Sequence, residues 1–360
     1  MILGVVLALV GCGKRTHFNL DGQLSDAAFE GAWVYLVDVA TQTPVDSIQV
    51  TEGAFRFEGE AENAFVAQIV AVGDMGPVRL TCIVEPGDIR LDMLSGSLSG
   101  TQLNDRLAAF VTASRQFDFE EGLSNYLALY RSAATSEERH AAELAYDSID
   151  ALRIEALAEA AKATYAENQD NLLGAYTLTL WANEVHPAAS ELEAMLEPAS
   201  EVVKNFAPLQ TIQKQLQAIE NTAAGCRYTD IEGIDFATGE TGKLSQLVEG
   251  RVALVDFWAS WCRPCRQEIS ENLIRLYKQY GKKGLQIVGV DVWDKPEQHK
   301  QMVEQLGITY PQLIDTTRNA TTTYGISSIP QILLISADGI IIARDLRGEA
   351  IEAAVIEALK

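Results

Sequence analysis

Val252-Ala253-Leu254-Val255-Asp256-Phe257-Trp258-Ala259 leads through Ser260-Trp261 into Cys262-Arg263-Pro264-Cys265. The first eight residues form an apolar run broken only by Asp256, the pattern of a central strand covered on both faces. Beyond the cysteines, Ile269, Leu273, Leu276 and Tyr280 recur at spacings of four, three and four, which marks one face of a helix from Cys262 to about Tyr280. A strand therefore delivers two cysteines to a helix start, where unpaired N–H groups and the positive end of the helix dipole favour a thiolate over a thiol. Cys262 is the expected nucleophile. Two intervening residues place Cys265 one turn on, within disulfide reach of Cys262 and less open to a partner. Pro264 suits the first turn, where its missing N–H removes no helical bond.

Moving outward, Gln286 to Val292 reads as a second buried strand and Pro296 to Leu306 as a helix with Pro in its first turn. Gln331 to Ser336 and Ile340 to Arg344 flank Asp338-Gly339, a hairpin signal, and a last helix spans about Glu349 to Leu359. Strand, helix, strand, helix, hairpin and helix is the thioredoxin order.

The segment Val255 to Cys265 resembles the thioredoxin active site nearly position for position. The resemblance implies a C-terminal α/β thioredoxin fold over residues 225–360 and thiol–disulfide oxidoreductase activity without metal or organic cofactor, the redox-active group being the Cys262–Cys265 pair. It implies that Cys265 is the resolving thiol and that Asp256 assists proton transfer to and from it. Glu268 matches a carboxylate kept near the disulfide by membrane-anchored relatives; an ordinary solvated helix charge is the alternative. Ile329-Pro330 matches the proline loop, whose cis bond faces the cysteines and leaves backbone free to pair with an extended substrate, beside Trp261, Arg263 and Pro264. The 65 residues between Cys265 and Pro330 (330 − 265) exceed the compact thioredoxin spacing by about one helix and one strand. That insertion resembles the envelope-anchored TlpA/ResA-like (AhpC/TSA-related) group. Two departures stand out: Arg263-Pro264 replaces Gly-Pro, and Glu268-Ile269-Ser270 replaces the Glu-x-Pro of that group.

Other readings use fewer of these features. A zinc half-site needs two further thiolate or imidazole ligands, and Cys12, Cys82 and Cys226 are isolated in sequence. Cys82 and Cys226 are open to pairing with each other or to service as a third redox thiol. His140 and His186 each lack a second ligand one turn away. A thiol peroxidase shares the fold, but Phe257 to Cys262 lacks the Pro-x-x-x-Thr-x-x-Cys pattern of a peroxidatic site. A non-enzymatic binding protein with the thioredoxin domain as scaffold does not need both cysteines together with Asp256 and Pro330. Thr238-Gly239-Glu240-Thr241-Gly242-Lys243 is too short for a phosphate loop and reads as a turn before a helix.

The rest of the chain is organised differently. Residues 16–100 alternate apolar and polar positions between Gly and Asp punctuation, as in Trp33 to Val37 and Ala54 to Glu58, and predict a small antiparallel β domain. Its Gly53-x-Phe55-x-Phe57-x-Gly59 and Glu85-Pro86-Gly87 are similar to the β-domain of unknown function found ahead of thioredoxin modules in Bacteroidota lipoproteins. Residues 101–224 change to helical period, with Tyr146, Ile149, Leu152 and Ala156 spaced three, three and four apart, Leu173, Tyr176 and Leu180 repeating that spacing on a second segment, and His186-Pro187 ending a helix. The first 12 residues read as a lipoprotein-type signal segment: an apolar core too short to span a membrane, ending in Leu9-Val10-Gly11-Cys12, which resembles a lipobox with Cys12 as the lipidated residue. The expected location is the periplasmic side of the cell envelope, held to the membrane through that anchor. Expected partners are disulfide-bearing envelope proteins and an electron-donating thiol protein. Lys+Arg 28 against Asp+Glu 50 gives a net charge of −22, which sets nucleic-acid binding aside.

Overall fold

A computed structural model describes residues 16–73, 76–115 and 119–360, so Cys12 and the signal segment lie outside the described residues. The chain divides into two compact units, with the boundary after Ile212.

In the first unit, β1 (His17–Gln23), β4 (Ala54–Glu60), β7 (Gly87–Asp92) and β8 (Ser97–Ser99) form one four-stranded sheet in the order β4-β1-β7-β8. A second, in the order β3-β2-β5-β6, contains β2 (Trp33–Asp38), β3 (Thr43–Gln49), β5 (Phe65–Gly73) and β6 (Gly76–Val84). Alternate residues are buried, such as Phe55 and Phe57 on β4 and Val34 and Leu36 on β2, as period-two patterning requires. Pairing is antiparallel except between β1 and β7, which run parallel. Helices follow at Gln102–Ser114, Phe119–Ser132, Ser136–Ala166, Leu172–Val185, Ala189–Leu196 and Glu201–Lys204, and the helix Ala207–Asn221 contains the boundary between the units. Buried Asn104 fixes the first of them to β6, accepting the N–H of Ile83 at 2.8 Å and donating to its carbonyl at 2.7 Å. Leu172–Val185 ends at His186-Pro187, as the His-Pro pair predicts, with His186 in a left-handed conformation. Within Ser136–Ala166, Tyr146, Ile149 and Ala156 are half-buried but Leu152 is 47 % exposed, and the fully buried positions are Ala142, Ala160, Ala161 and Tyr165. In an Ala-rich helix small side chains give little contrast between faces, so spacing alone does not select the inward stripe.

The second unit contains a seven-stranded sheet in the order β10-β9-β13-β12-β11-β14-β15. Its strands are β9 (Glu232–Asp235), β10 (Thr241–Lys243), β11 (Val252–Trp258), β12 (Leu285–Asp291), β13 (Gln312–Ile314), β14 (Gln331–Ile335) and β15 (Ile341–Ala343). β11 and β12 are buried at every position, which matches their continuous apolar runs. Leu254 and Trp258 pack on one side of the sheet with Cys262, Cys265, Ile269, Leu273 and Leu276. Ala253, Val255 and Phe257 pack on the other with Val288, Val290 and Tyr324. Between β12 and β14 lie the helix Pro296–Leu306, β13 and the helix Asn319–Tyr324, which make up the second half of the long interval between Cys265 and Pro330. Helix Glu349–Ala358 closes the thioredoxin fold. Residues 238–243, the rejected phosphate loop, form the β9–β10 turn and β10 ahead of a short helix, Leu244–Val248.

Candidate active site

Cys262 stands immediately before the helix Arg263–Glu268, in extended conformation (φ −75°, ψ 102°), and its Sγ accepts the N–H of Cys265 at 3.2 Å. The sulfur thus fills the role in which Ser or Asp oxygen usually satisfies a helix's unpaired donor. Any charge on that sulfur meets this N–H and the dipole of the first turn. Cys262 and Cys265 are joined in a disulfide with Cα atoms 5.3 Å apart, so the structure is the oxidised form. Cys262 retains 4 % exposure and Cys265 none, which leaves Cys262 as the sulfur a partner can reach.

The Ile329–Pro330 bond is cis, and the Ile329 carbonyl oxygen lies 3.8 Å from Cys262 Sγ. The proline loop therefore faces the disulfide. Trp261 is 58 % exposed, and its indole N–H donates to the Trp293 carbonyl at 3.2 Å. Trp293 sits at φ 58°, a region that disfavours a side-chain-bearing residue by about 1–2 kcal/mol. Arg263 and Pro264 are exposed beside Cys262, on the side opposite Trp261 in sequence.

Strand alternation puts Asp256 on the same side of β11 as Leu254 and Trp258, the side that carries both cysteines. Asp256 is wholly buried, and neither carboxylate oxygen has a hydrogen-bond partner. Burial pushes its pKa up to about 8; the Arg347 guanidinium opposes this rise and Glu268 adds to it. Such a group is a proton donor and acceptor poised near neutrality. Glu268 is half-buried and accepts the Gly348 N–H at 3.0 and 3.3 Å and the Asn272 amide at 2.8 Å. It is neither a freely solvated helix charge nor bonded to the disulfide. Arg347 donates to the Pro330 carbonyl oxygen. The turn Arg347-Gly348 thereby links the proline loop, Glu268 and the field at Asp256, a role with no sequence signal because the pair reads as an ordinary helix start.

Two further supports were also invisible in sequence. Gln312 Oε1 accepts the buried Trp258 indole N–H at 3.0 Å, and Gly289 makes room for that amide, since a Cβ there would lie 2.3 Å from Gln312 Oε1. After Glu268 the helix passes through a π turn, Ile269–Leu273, before continuing as Ile274–Tyr280; π turns concentrate near functional sites. Among the described residues, no group of three or more metal-binding side chains includes Cys262 or Cys265. Cys82 and Cys226 are free, not paired. Burial raises the Cys82 pKa to about 12, which leaves that thiol unreactive at neutral pH.

Residues 224–344 match the AhpC/TSA family. The C-terminal domain belongs to that family. Residues 18–107 match a domain of unknown function, DUF4369. The AhpC/TSA domain is similar to the thiol-disulfide oxidoreductase ResA of Bacillus thuringiensis (strain Al Hakam), with 29% identity over 126 residues covering 35% of this chain and 68% of the relative. Its similarity to ResA of Bacillus subtilis (strain 168) is 28% over 106 residues, 29% of this chain and 58% of that one. Among solved structures, the thioredoxin domain of a Bacteroides vulgatus thiol-disulfide oxidoreductase is 30% identical, with 38% of this chain and 99% of that chain covered and a TM-score of 0.36. With its Cys262–Cys265 disulfide, the AhpC/TSA domain is a thiol–disulfide oxidoreductase domain.

Proposed function

We propose that this protein reduces disulfides of cell-envelope proteins, with Cys262 as nucleophile and Cys265 as resolving thiol. The observation that carries this reading is the placement of Cys262 Sγ, capped by the Cys265 N–H and facing the cis Ile329–Pro330 loop. The Cys262 thiolate attacks one substrate sulfur and displaces the other as a thiolate, giving a mixed disulfide. Asp256 takes the proton of Cys265, whose thiolate then attacks the Cys262 sulfur. That step releases the second substrate thiol and restores the Cys262–Cys265 disulfide. Two electrons have passed to the substrate, and a dithiol donor returns two to the enzyme. No cofactor beyond the cysteine pair is required. Trp261, Arg263, Pro264 and Ile329-Pro330 hold the substrate, the proline loop supplying backbone groups to an extended segment. Glu268 acts on proton transfer through its influence on Asp256.

In this reading Cys12 carries a lipid anchor on the periplasmic side, residues 16–100 and 101–224 form a β and a helical region ahead of the redox domain at 225–360, and a thiol protein supplies electrons. Among the described residues no helix is long and apolar enough to cross a membrane. Cys262→Ser should abolish reduction of a protein disulfide, and Cys265→Ser should accumulate a mixed disulfide visible by mass spectrometry of non-reduced samples. Full activity in Cys262→Ser would overturn the assignment. A reduction potential for the pair well above that of cytosolic thioredoxin (about −270 mV) would instead indicate an oxidase direction.

A further inference from the structure

A second group of polar side chains lies under the loop that carries Trp258 to Cys262, and disulfide exchange does not use it. β12 sends Leu285 and Ile287 into the core that contains Trp258, and by alternation Asp291 follows them. Asp291 is the register partner of Trp258. His299, on the helix Pro296–Leu306, packs its ring 5.1 Å from that of Trp258 and 5.3 Å from that of Phe236. Asp291 is 1 % exposed and His299 0 %. Neither carboxylate oxygen of Asp291 and neither ring nitrogen of His299 has a hydrogen-bond partner. Asp291 Oδ2 and His299 Nδ1 approach to 3.3 Å without forming one.

Asp294, half-buried in the loop between them, completes the group, and one ligand atom from each of the three lies within 4.8 Å of the others. No lysine or arginine is ion-paired with Asp291 or Asp294 among the described residues. Asp315, whose carboxylate holds the backbone N–H groups of Asn319 and Ala320, adds further negative field at Asp291. A buried carboxylate with neither donor nor cation is unfavourable, and a cation is the partner this surrounding field selects. Ligand atoms about 2.0–2.1 Å from a tetrahedral ion stand about 3.3–3.4 Å apart, the spacing Asp291 and His299 already have. Two carboxylates and a neutral imidazole also balance a charge of +2.

We propose that Asp291, Asp294 and His299 form a binding site for a divalent transition ion of the zinc class, with the half-buried Asp294 side open to a water ligand. Asp294 Oδ2 also accepts the Ser260 N–H at 2.6 Å, so the ion braces the loop two residues before Cys262. Its role is structural, since it touches neither cysteine.

The test uses untagged full-length protein in the oxidised state, where Cys262 and Cys265 are bonded and unable to ligate. After chelator treatment, Co²⁺ is titrated by visible absorption and Zn²⁺ by calorimetry. One ion per chain is expected, with a tetrahedral Co²⁺ spectrum and a rise in Tm on Zn²⁺ addition. His299→Gln and Asp291→Asn should each weaken binding by at least about 100-fold. Asp294→Asn, on the half-buried loop, should weaken it as well and gives a readout in a chain whose core is untouched. Absence of saturable binding to the wild type would overturn the site. Wild-type affinity in Asp294→Asn together with whichever buried variant folds would do the same, leaving Asp291 and His299 as a pair that needs no ion.

Discussion

At the scale of single residues, burial raises the Asp256 pKa and the Arg347 guanidinium opposes that rise. The folded chain raises the Asp256 pKa to about 8 from its ordinary 3.8, so between those values the folded state holds a proton that the unfolded chain has released. Its contribution to stability is therefore complete below about pH 4 and is lost as pH rises through about 8. Asp256→Asn, which cannot ionise, should match the wild type in acid and exceed it in unfolding free energy above pH 8, by at most about 6 kcal/mol. Guanidinium titrations from pH 4 to 9 would show this, and equal stability of the two proteins at pH 9 would refute the burial argument. Under the proposed mechanism, in which Asp256 takes the Cys265 proton, the same variant should slow release of the mixed disulfide. Arg347→Met removes the cation that opposes the Asp256 shift and the donor to the Pro330 carbonyl. We expect the Asp256 pKa to rise, followed by carboxyl ¹³C NMR, and KM for a protein disulfide to increase. Sequence exposed Asp256 through its place in an apolar run, whereas Arg347 is one of many surface-like arginines until the chain folds back.

At the scale of elements, strand β11 and its helix behave as expected from their periodicity, and the hairpin closes at Asp338-Gly339 between β14 and β15. The departures come where one element leans on a distant one. Gly289, within an unremarkable apolar strand, is opposite Asp256 and clears the path for the Gln312 amide to reach Trp258. Gly289→Ala should force that amide away and destabilise the domain by about 1–3 kcal/mol in urea unfolding, with a change in Trp258 fluorescence. An unchanged midpoint would show that Gln312 has an alternative position. The π turn at Ile269–Leu273 occupies the stretch where Ser270 stands in place of the expected proline, so the helix keeps the N–H that proline would lack.

At the scale of the whole molecule, net charge acts over the longest distance. A net charge of −22 should draw cationic substrate proteins over distances longer than any contact, with Arg263 and Arg266 offering a small opposite patch at the disulfide. Raising ionic strength from about 0.01 to 0.15 M shortens the screening length from about 30 to 8 Å, and kcat/KM for a cationic protein disulfide should fall several-fold. An anionic substrate of similar size should show no such fall. A salt response of equal size for both would indicate that local contacts, not net charge, control association.

The sequence by itself determined the redox domain: a covered strand, a helix with two cysteines at its start, a proline before the next strand and a terminal hairpin are all local patterns, and each is written in neighbouring residues. It also marked the β and helical character of the regions before it, since periods of two and near 3.6 are local too. Only the tertiary structure decided which distant groups meet. The parallel pairing of β1 with β7, the inward stripe of Ser136–Ala166, the Arg347-Gly348 clasp on Pro330 and Glu268, and the meeting of Asp291 with His299 all depend on backbone and side-chain groups brought together from separate elements. Their spacing along the chain carries no period, because their proximity arises from the packing of strand against strand and helix against sheet.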